Sequence, residues 1–597
     1  MNRIYPFTAL LFITLSTYSQ FTVKPSEVNN SDNYIFVKGS VLFVSEDVHL
    51  NKNKNPENEA SIYLRNGAQL IQGKDQRSPN TGNGMLSVFQ TGSSNAYDYD
   101  YWAAPVGNSA DKNGLFGISM LYAPRSEINS VPSLNTSALN GTSNPLNISN
   151  RWIYTYSGHD YLSWHFIGNS VAIPAGYGFS MKGVEGKDPT LVEERENNSG
   201  NGQRYDFRGR PNSGTIEIPV SPGEIVLVGN PYPSALDLSL FLLENSGEGS
   251  LYSDCYGVIE RNNATTGIAY FWDSIEDGNS HYLEDYVGGY GAFSPVDPCT
   301  TGIYEAPIFL TYGTTEKVTG MKGKDQERRF LPIAQGFMVQ GAKGSPLLFK
   351  NTHRIFKIDK ENPGLKQANK VNKKDPEVIP KLRLEVTVNN KYVRGLSLGF
   401  WPAASTGVDT GMDAIAYDMA PADAGWLQDE ESYIIDVRPF DESEEIPLFL
   451  EVDNENATFS FSTGGSENFE VKNIYILDNQ TNTYHSIRED AFEIELTPGN
   501  YNGRFNLTFL EKMDDENIPL ELVQSDSDKG GFSIFQNNYL GELEIINESF
   551  IPVRSVGIYD LQGKKIYFRS NFGNKRSISI STQHLANAIY IVKVIDA

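Results

Sequence analysis

Four tryptophans, Trp102, Trp152, Trp164 and Trp272, fall within one stretch of the chain, amid Tyr97, Tyr99, Tyr101, Tyr154, Tyr156 and Tyr161. Flat rings with apolar faces and polar edges suit stacking against sugars when a sheet presents them to solvent. Tyr97 to Trp102 reads YDYDYW. Alternate residues of a strand share a face, so this run predicts one aromatic face and one acidic face. Large aromatics are mostly buried, and the competing expectation for each tryptophan is a place in the core.

A second group is acidic. Asp409, Asp413 and Asp418 lie in DTGMDAIAYD around Gly411, where a loop could offer oxygen ligands to calcium. The spacing is not that of an EF-hand, and a solvated acidic turn is the competing expectation. Asp273 with Glu276 and Asp277, or Glu284 with Asp285, could serve glycoside hydrolysis. In an acidic chain such clusters also arise by composition. His159 and His165 are the nearest pair among seven histidines, but the residues from Gly158 to Asp160 read as a turn, and zinc needs three or four ligands. No GxSxG elbow, HExxH helix or Walker loop occurs. No catalytic residue is assigned, and calcium is the one cofactor the sequence suggests.

Strands must position these groups. Nearly every segment is a short apolar or alternating run bounded by turn residues, and aromatics are abundant, with 32 Phe, 32 Tyr and 6 Trp. The fold class expected is all-β, with several β-sandwich or β-rich domains in series. SIYLRNGAQLIQG, from Ser61 to Gly73, reads as two strands about Asn66–Gly67, and Asn-Gly favours a type I′ hairpin turn. Asp237 to Asn245 reads as one short helix with Asp237 as its cap. IPAGYGFSMKG (Ile173 to Gly183) resembles LPIAQGFMVQG (Leu331 to Gly341). YWAAPVGN (Tyr101 to Asn108) and RWIYTY (Arg151 to Tyr156) are echoed in the same order by VGNPYPSALD (Val228 to Asp237) and AYFWDS (Ala269 to Ser274), which suggests an internal duplication.

The chain of 597 residues is too long for one ordinary domain. The expected order is a signal peptide (1–19), an N-terminal β-rich segment (20–90), the duplicated body (91–356), a Lys-rich linker (357–381), a β-sandwich (382–512), an acidic linker (513–530) and a C-terminal module (531–597). Arg3 followed by the apolar run Phe7 to Leu15 has the layout of a secretory leader, too short to span a bilayer. With 49 basic and 74 acidic residues the net charge is −25, which argues against nucleic-acid partners and anionic lipid surfaces. No later segment reaches membrane-span length. Cys255 and Cys299 are the only cysteines. An exported chain meets an oxidising compartment, where they can pair, but the sequence does not fix the separation a bridge requires.

The last module carries a recognisable pattern: Leu543-Glu544-Ile545; Val556-Gly557-Ile558-Tyr559-Asp560-Leu561 with Gly563-Lys564-Lys565-Ile566; Ile578-Ser579-Ile580-Ser581; and Ile589-Tyr590-Ile591-Val592-Lys593-Val594. It resembles the type A C-terminal sorting domain of type IX secretion cargo. Ala588 stands where the family usually has Gly, and family members usually continue past the last strand into a short basic tail. The resemblance implies a small Ig-like sandwich of about seven strands, with Ile558, Tyr559, Asp560, Gly563, Lys564, Tyr590, Val592 and Val594 in its motif. It also implies the type IX machinery as partner, and export to the outer-membrane surface or the medium. The body is similar to uncharacterised β-rich modules of large secreted surface proteins, in stretches such as Tyr99 to Gly107, Gly229 to Asp237 and Ile474 to Phe509. The function expected is non-catalytic: adhesion, or binding of a glycan or other surface polymer. A secreted polysaccharide hydrolase and a purely structural surface component are the alternatives.

Overall fold

The computed structural model describes residues 21–596 apart from 29–30, 56–58, 74–78, 110–112, 201, 276–277, 313–317, 359–375, 512–531, 538–540, 548–550, 560–563, 583–584 and 586–589. The expected signal peptide, most of the Lys-rich linker and the acidic linker lie outside these residues, as do Glu276, Asp277, Asp560 and Gly563. The protein is all-β. Its one α-helix among the described residues is Leu238–Glu244, and the Asp237 side chain accepts a hydrogen bond from Leu240 N at its start. The chain divides into two compact units, one ending at Glu511 and one beginning at Lys512.

The first unit opens with a parallel coil. Its strands are β1 (Phe21–Val23), β2 (Ile35–Lys38), β3 (Val41–Val44), β4 (Val48–Leu50), β5 (Ile62–Arg65), β6 (Gln69–Gln72) and β7 (Leu86–Thr91). β2 pairs with β5 and β5 with β7, β3 pairs with β6, and β1 pairs with β4, all parallel. Each turn of chain therefore lays its strands directly on those of the turn before. The register stacks Ile35 on Ile62 and Leu86, Val37 on Leu64 and Val88, and Leu42 on Leu70. These side chains form or flank one buried cluster. The Asn66–Gly67 expectation is corrected here. β5 and β6 are strands, but they do not pair with each other; Asn66 (φ 49°) and Gly67 (φ 72°) turn a corner between two sides of the coil. Left-handed φ at both residues suits a type I′ hairpin and a sharp corner alike. The partner strand that decides between them lies a full turn away in sequence.

An eleven-stranded sheet forms the centre. Along one path it runs through Val287–Ser294, Ala269–Ser274, Gly336–Gln340, Ile225–Gly229, Tyr154–Gly158, Gly178–Lys182 and β8 (Tyr99–Ala103), with Trp164–Phe166 on the 154–158 strand. The sheet curls until it nearly closes: Ala103 N donates to Ala334 O at 2.8 Å, and Trp102 bridges Gln335. Two pairings within it share a register. Gly178 faces Ala103 while Ser180 faces Tyr154; Gly336 faces Gly229 while Met338 faces Tyr270.

A twelve-stranded sheet follows, antiparallel except where Tyr392–Phe400 meets Glu431–Arg438. Its Lys381–Val388 strand alternates strictly, with Leu382, Leu384, Val386 and Val388 buried. These residues, Trp426 and the inner strands share one core with Tyr101, Tyr156, Tyr270 and Met338 of the central sheet. Two buried ion pairs, Arg394 with Asp423 and Arg438 with Asp436, sit in it with both partners hydrogen-bonded. Cys255 and Cys299 are disulfide-bonded, with Cα atoms 5.6 Å apart, and help to anchor the two-stranded hairpin Glu248–Ser253/Gly257–Asn262.

The second unit has six strands among the described residues, in two three-stranded antiparallel sheets. Leu543, Ile545, Val556, Ile558, Ile578 and Ile580 fill its core. Val592 and Val594 pair with Ile558 and Val556 and pack against that core beside Tyr590.

Candidate functional site

Alternation on β8 places Tyr99 and Tyr101 on one face of the central sheet and Trp102 on the other. The four tryptophans meet different fates. Trp102 is 5% exposed and packs against Tyr205 and Phe207 in the core under the coil. Trp164 lies edge-on to Tyr156 and beside Tyr101. Trp272 packs on Tyr290 and Tyr312. These last two belong to a seam where the second sheet covers the first. There the hydroxyls of Tyr101 and Tyr290 meet at 2.6 Å, and Tyr417 packs on Tyr270 and Tyr290. Burial raises the pKa of all four of these tyrosines.

Trp152 is placed differently. It ends a short turn, Asn150–Trp152, and its indole N–H donates to Leu139 O at 2.7 Å. One face of the indole stacks on His281, with centroids 4.9 Å apart and planes 10° apart. The Lys182 ammonium lies 4.3 Å from the Trp152 ring centroid, 4.6 Å from that of Tyr286 and 4.9 Å from that of Tyr99. Strand pairing explains the cage, because Lys182 faces Tyr99 in the register of β8. Lys182 is 2% exposed and donates to His281 Nδ1 at 3.0 Å and to the Tyr286 hydroxyl. With Nδ1 accepting, Nε2–H of His281 donates to Asn140 Oδ1, and Asn140 in turn donates to Glu185 at 2.8 Å. Burial lowers the Lys182 pKa to about 7, against a smaller raising influence of Asp98. Burial, and then the charge of Lys182, lower that of His281. The faces of Trp152 and Tyr99 can each stabilise the cation by about 0.5–2 kcal/mol, and with the Tyr286 hydroxyl as acceptor they offset part of its lost hydration.

Beyond this cage the same face reaches solvent. Tyr154 contacts Phe166 edge-on at 5.4 Å. Phe166 and Tyr161 are each 61% exposed, and Tyr282, next to His281, is 73% exposed. Burial, and to a smaller extent the neighbouring Tyr154 and Tyr161, raises the pKa of both Tyr99 and Tyr286. The result is a rim of exposed rings set on a floor that hydrogen bonds and cation–π contacts hold in place. Lys182 and Tyr286 were not legible as site residues, since only the strand register brings them to Trp152.

The other candidates do not converge. Asp413 is buried, and its two oxygens accept from Asp409 N at 2.6 Å and Val437 N at 2.7 Å. Burial and the neighbouring Asp436 push its pKa up to about 8. Asp409 accepts from Ser405 N, and Asp418 accepts from Tyr290 N at 2.8 Å in the seam. Among the described residues no three His, Cys, Asp or Glu gather as a metal would require. His159 and His165 are exposed and bond to Gly223 O and Ser157 O respectively. Asp285 accepts from Ser280. A cleft of about 580 Å³ holds Glu305 and Asp325, both paired with Arg383. Burial raises the Glu305 pKa.

No helix among the described residues is long and apolar enough to cross a membrane. Residues 537–597 match the secretion system C-terminal sorting domain, which makes this chain type IX secretion cargo, exported to the cell surface or the extracellular space. No curated protein and no solved structure matches the chain. Residues 8–509, most of its length, match a second family, and the chain thereby belongs to the family described as Domain of unknown function (DUF8693).

Proposed function

We propose that this exported protein is a non-catalytic, adhesin-like binder that holds a glycan or another surface polymer on the ring-lined edge of its central sheet. The observation that carries the reading is the exposure of Tyr161, Phe166 and Tyr282 around a Trp152 floor fixed by Lys182, His281 and Tyr286. Rigid rings with polar edges bury area against a sugar face at low entropic cost. An acidic chain of −25 favours a neutral or cationic polymer over a polyanion.

The test is a glycan array probed with the full chain, followed by titration of any hit. Tyr161→Ala and Phe166→Ala should each weaken binding about tenfold, as for central contact residues. Unchanged affinity in both variants, or an array with no hit and no binding to outer-membrane polysaccharide, would count against the rim. A hydrolase reading has one observation in its favour, the raised Glu305 facing Asp325 across an open cleft. Both carboxylates are held by Arg383, which suits an ion-pair bridge at least as well as acid–base work. Release of reducing ends from a polysaccharide, lost in Glu305→Gln, is the outcome that would favour it.

We also read the body as an internal duplication. The shared register of β8, 178–182 and 154–158 with 225–229, 336–340 and 269–274 supports this, since the matched segments occupy matching places in the sheet. On that reading Trp272 is the counterpart of Tyr156. The signal peptide over 1–19 completes the proposed route.

A further inference from the structure

The coil ends abruptly at its first turn. Among the described residues β2 pairs only with β5, and β3 only with β6, so both strands leave their outer edge unpaired. The inward-facing Ile35, Val37 and Leu42 are only partly buried, although their partners Ile62, Leu64 and Leu70 in the next turn are fully covered. On the outer side Phe36, Val41 and Phe43 are exposed, Phe43 by 62%. Unpaired strand edges normally carry charge, proline or a bulge that discourages pairing. Tyr34 to Val44 reads YIFVKGSVLFV, with no Asp, Glu or Pro. Its one charge, Lys38, is already paired with Glu127 at 2.7 Å.

We propose that this end of the coil is a homodimer interface, in which β2 of one copy pairs antiparallel with β3 of the other and β3 with β2, about a two-fold axis through the Gly39–Ser40 corner. The residues support a second copy of this chain as the occupant. Rotation about that corner sets Ile35 against Val44 and Val37 against Leu42, inward residue on inward residue. It sets Phe36 against Phe43 and Lys38 against Val41, outward on outward. A self-complementary patch of this kind is what a closed two-fold contact requires. Any other antiparallel setting that slips by one residue would turn the apolar inner side chains outward. Charge points the same way: two copies at −25 each repel over most of their surfaces, and the 34–44 strip has no carboxylate of its own, with Glu127 beside it neutralised by Lys38. On the third side β1 already lies beside β4, so the proposed contact is confined to the β2 and β3 sides of the coil.

Sedimentation of the full chain over a concentration series tests this. A dimer is expected for the native chain, and Phe43→Lys should weaken it about tenfold or more, because a two-fold contact then loses two outward Phe36–Phe43 ring pairs. Tyr252→Lys, exposed on the 248–262 hairpin outside the coil, should leave it intact. Register is tested by cysteine pairing, since the two native cysteines are bonded to each other. Phe36→Cys mixed with Phe43→Cys should link under mild oxidation, and each variant alone should not. A native chain that stays monomeric at every concentration overturns the proposal. So does a dimer as tight in Phe43→Lys as in the native chain, or single variants that link to themselves as readily as the mixture does.

Discussion

The aromatic face of the central sheet has two regions that use the same residue types differently. In the seam, Tyr101, Tyr156, Trp164, Tyr270, Trp272 and Tyr290 are covered by the second sheet and by Tyr417, and their rings act as core. At the edge, Tyr99, Trp152 and Tyr286 surround an ammonium group, with Tyr161 and Phe166 left open. Composition and alternation are alike in both. What differs is whether a second layer lies above them, and that decides whether a ring contributes stability or is free to meet a ligand.

The sharpest way to break this comparison is truncation in each region. Tyr270→Ala removes a buried seam ring and should cost about 3–5 kcal/mol in chemical denaturation. Trp152→Ala, half-buried at the edge, should cost clearly less. Equal losses would mean that the edge is core like the seam.

A smaller effect is expected from the acceptor that ties the layers together. Asp418→Ala removes the partner of Tyr290 N and should cost about 1–3 kcal/mol by the same assay. A change inside experimental error would show that the seam rests on ring packing alone.

Protonation sharpens the contrast further. The Lys182 pKa is lowered from 10.5 to about 7, so between those values the folded protein binds fewer protons than the unfolded chain. Stability from this group therefore rises as pH rises from about 7 to 10.5. Asp413, in the second sheet, is raised from 3.8 to about 8, so the folded protein holds the extra proton there. Its contribution falls as pH rises through that interval. Lys182→Met should flatten the alkaline slope and Asp413→Asn the neutral one, read from denaturation midpoints across pH. The same slopes in both variants as in the native chain would remove the basis for treating either group as perturbed.

The smallest effect belongs to the rim. Tyr161→Ala and Leu162→Ser should change stability by no more than about 0.5 kcal/mol, as for exposed positions with no buried partner. A larger loss in thermal unfolding would make these residues part of the fold.

Much of this was legible in the sequence wherever a signal is local. The Asp237 cap and the sorting-domain strands follow from neighbouring residues. Signals that depend on distant partners were not. Asn66–Gly67 reads as a hairpin until β2 and β7 are known to flank β5. YDYDYW announces an aromatic face but not what covers it. Trp102 shares that run with Tyr101 and yet points to the opposite side, into the core beneath the coil.

The parallel coil has one further consequence. Among the described residues β2 and β3 of its first turn pair only with β5 and β6 of the next, so whole turns can be added at that end without a change in the central sheet. A chain carrying one additional whole turn before Ile35 would shift the terminal surface outward by a single strand spacing, about 4.8 Å, and leave the binding edge and the two-layered core untouched. Reach from the body is thus a quantity that insertion or deletion can tune in discrete steps, without redesign of anything that recognises a ligand.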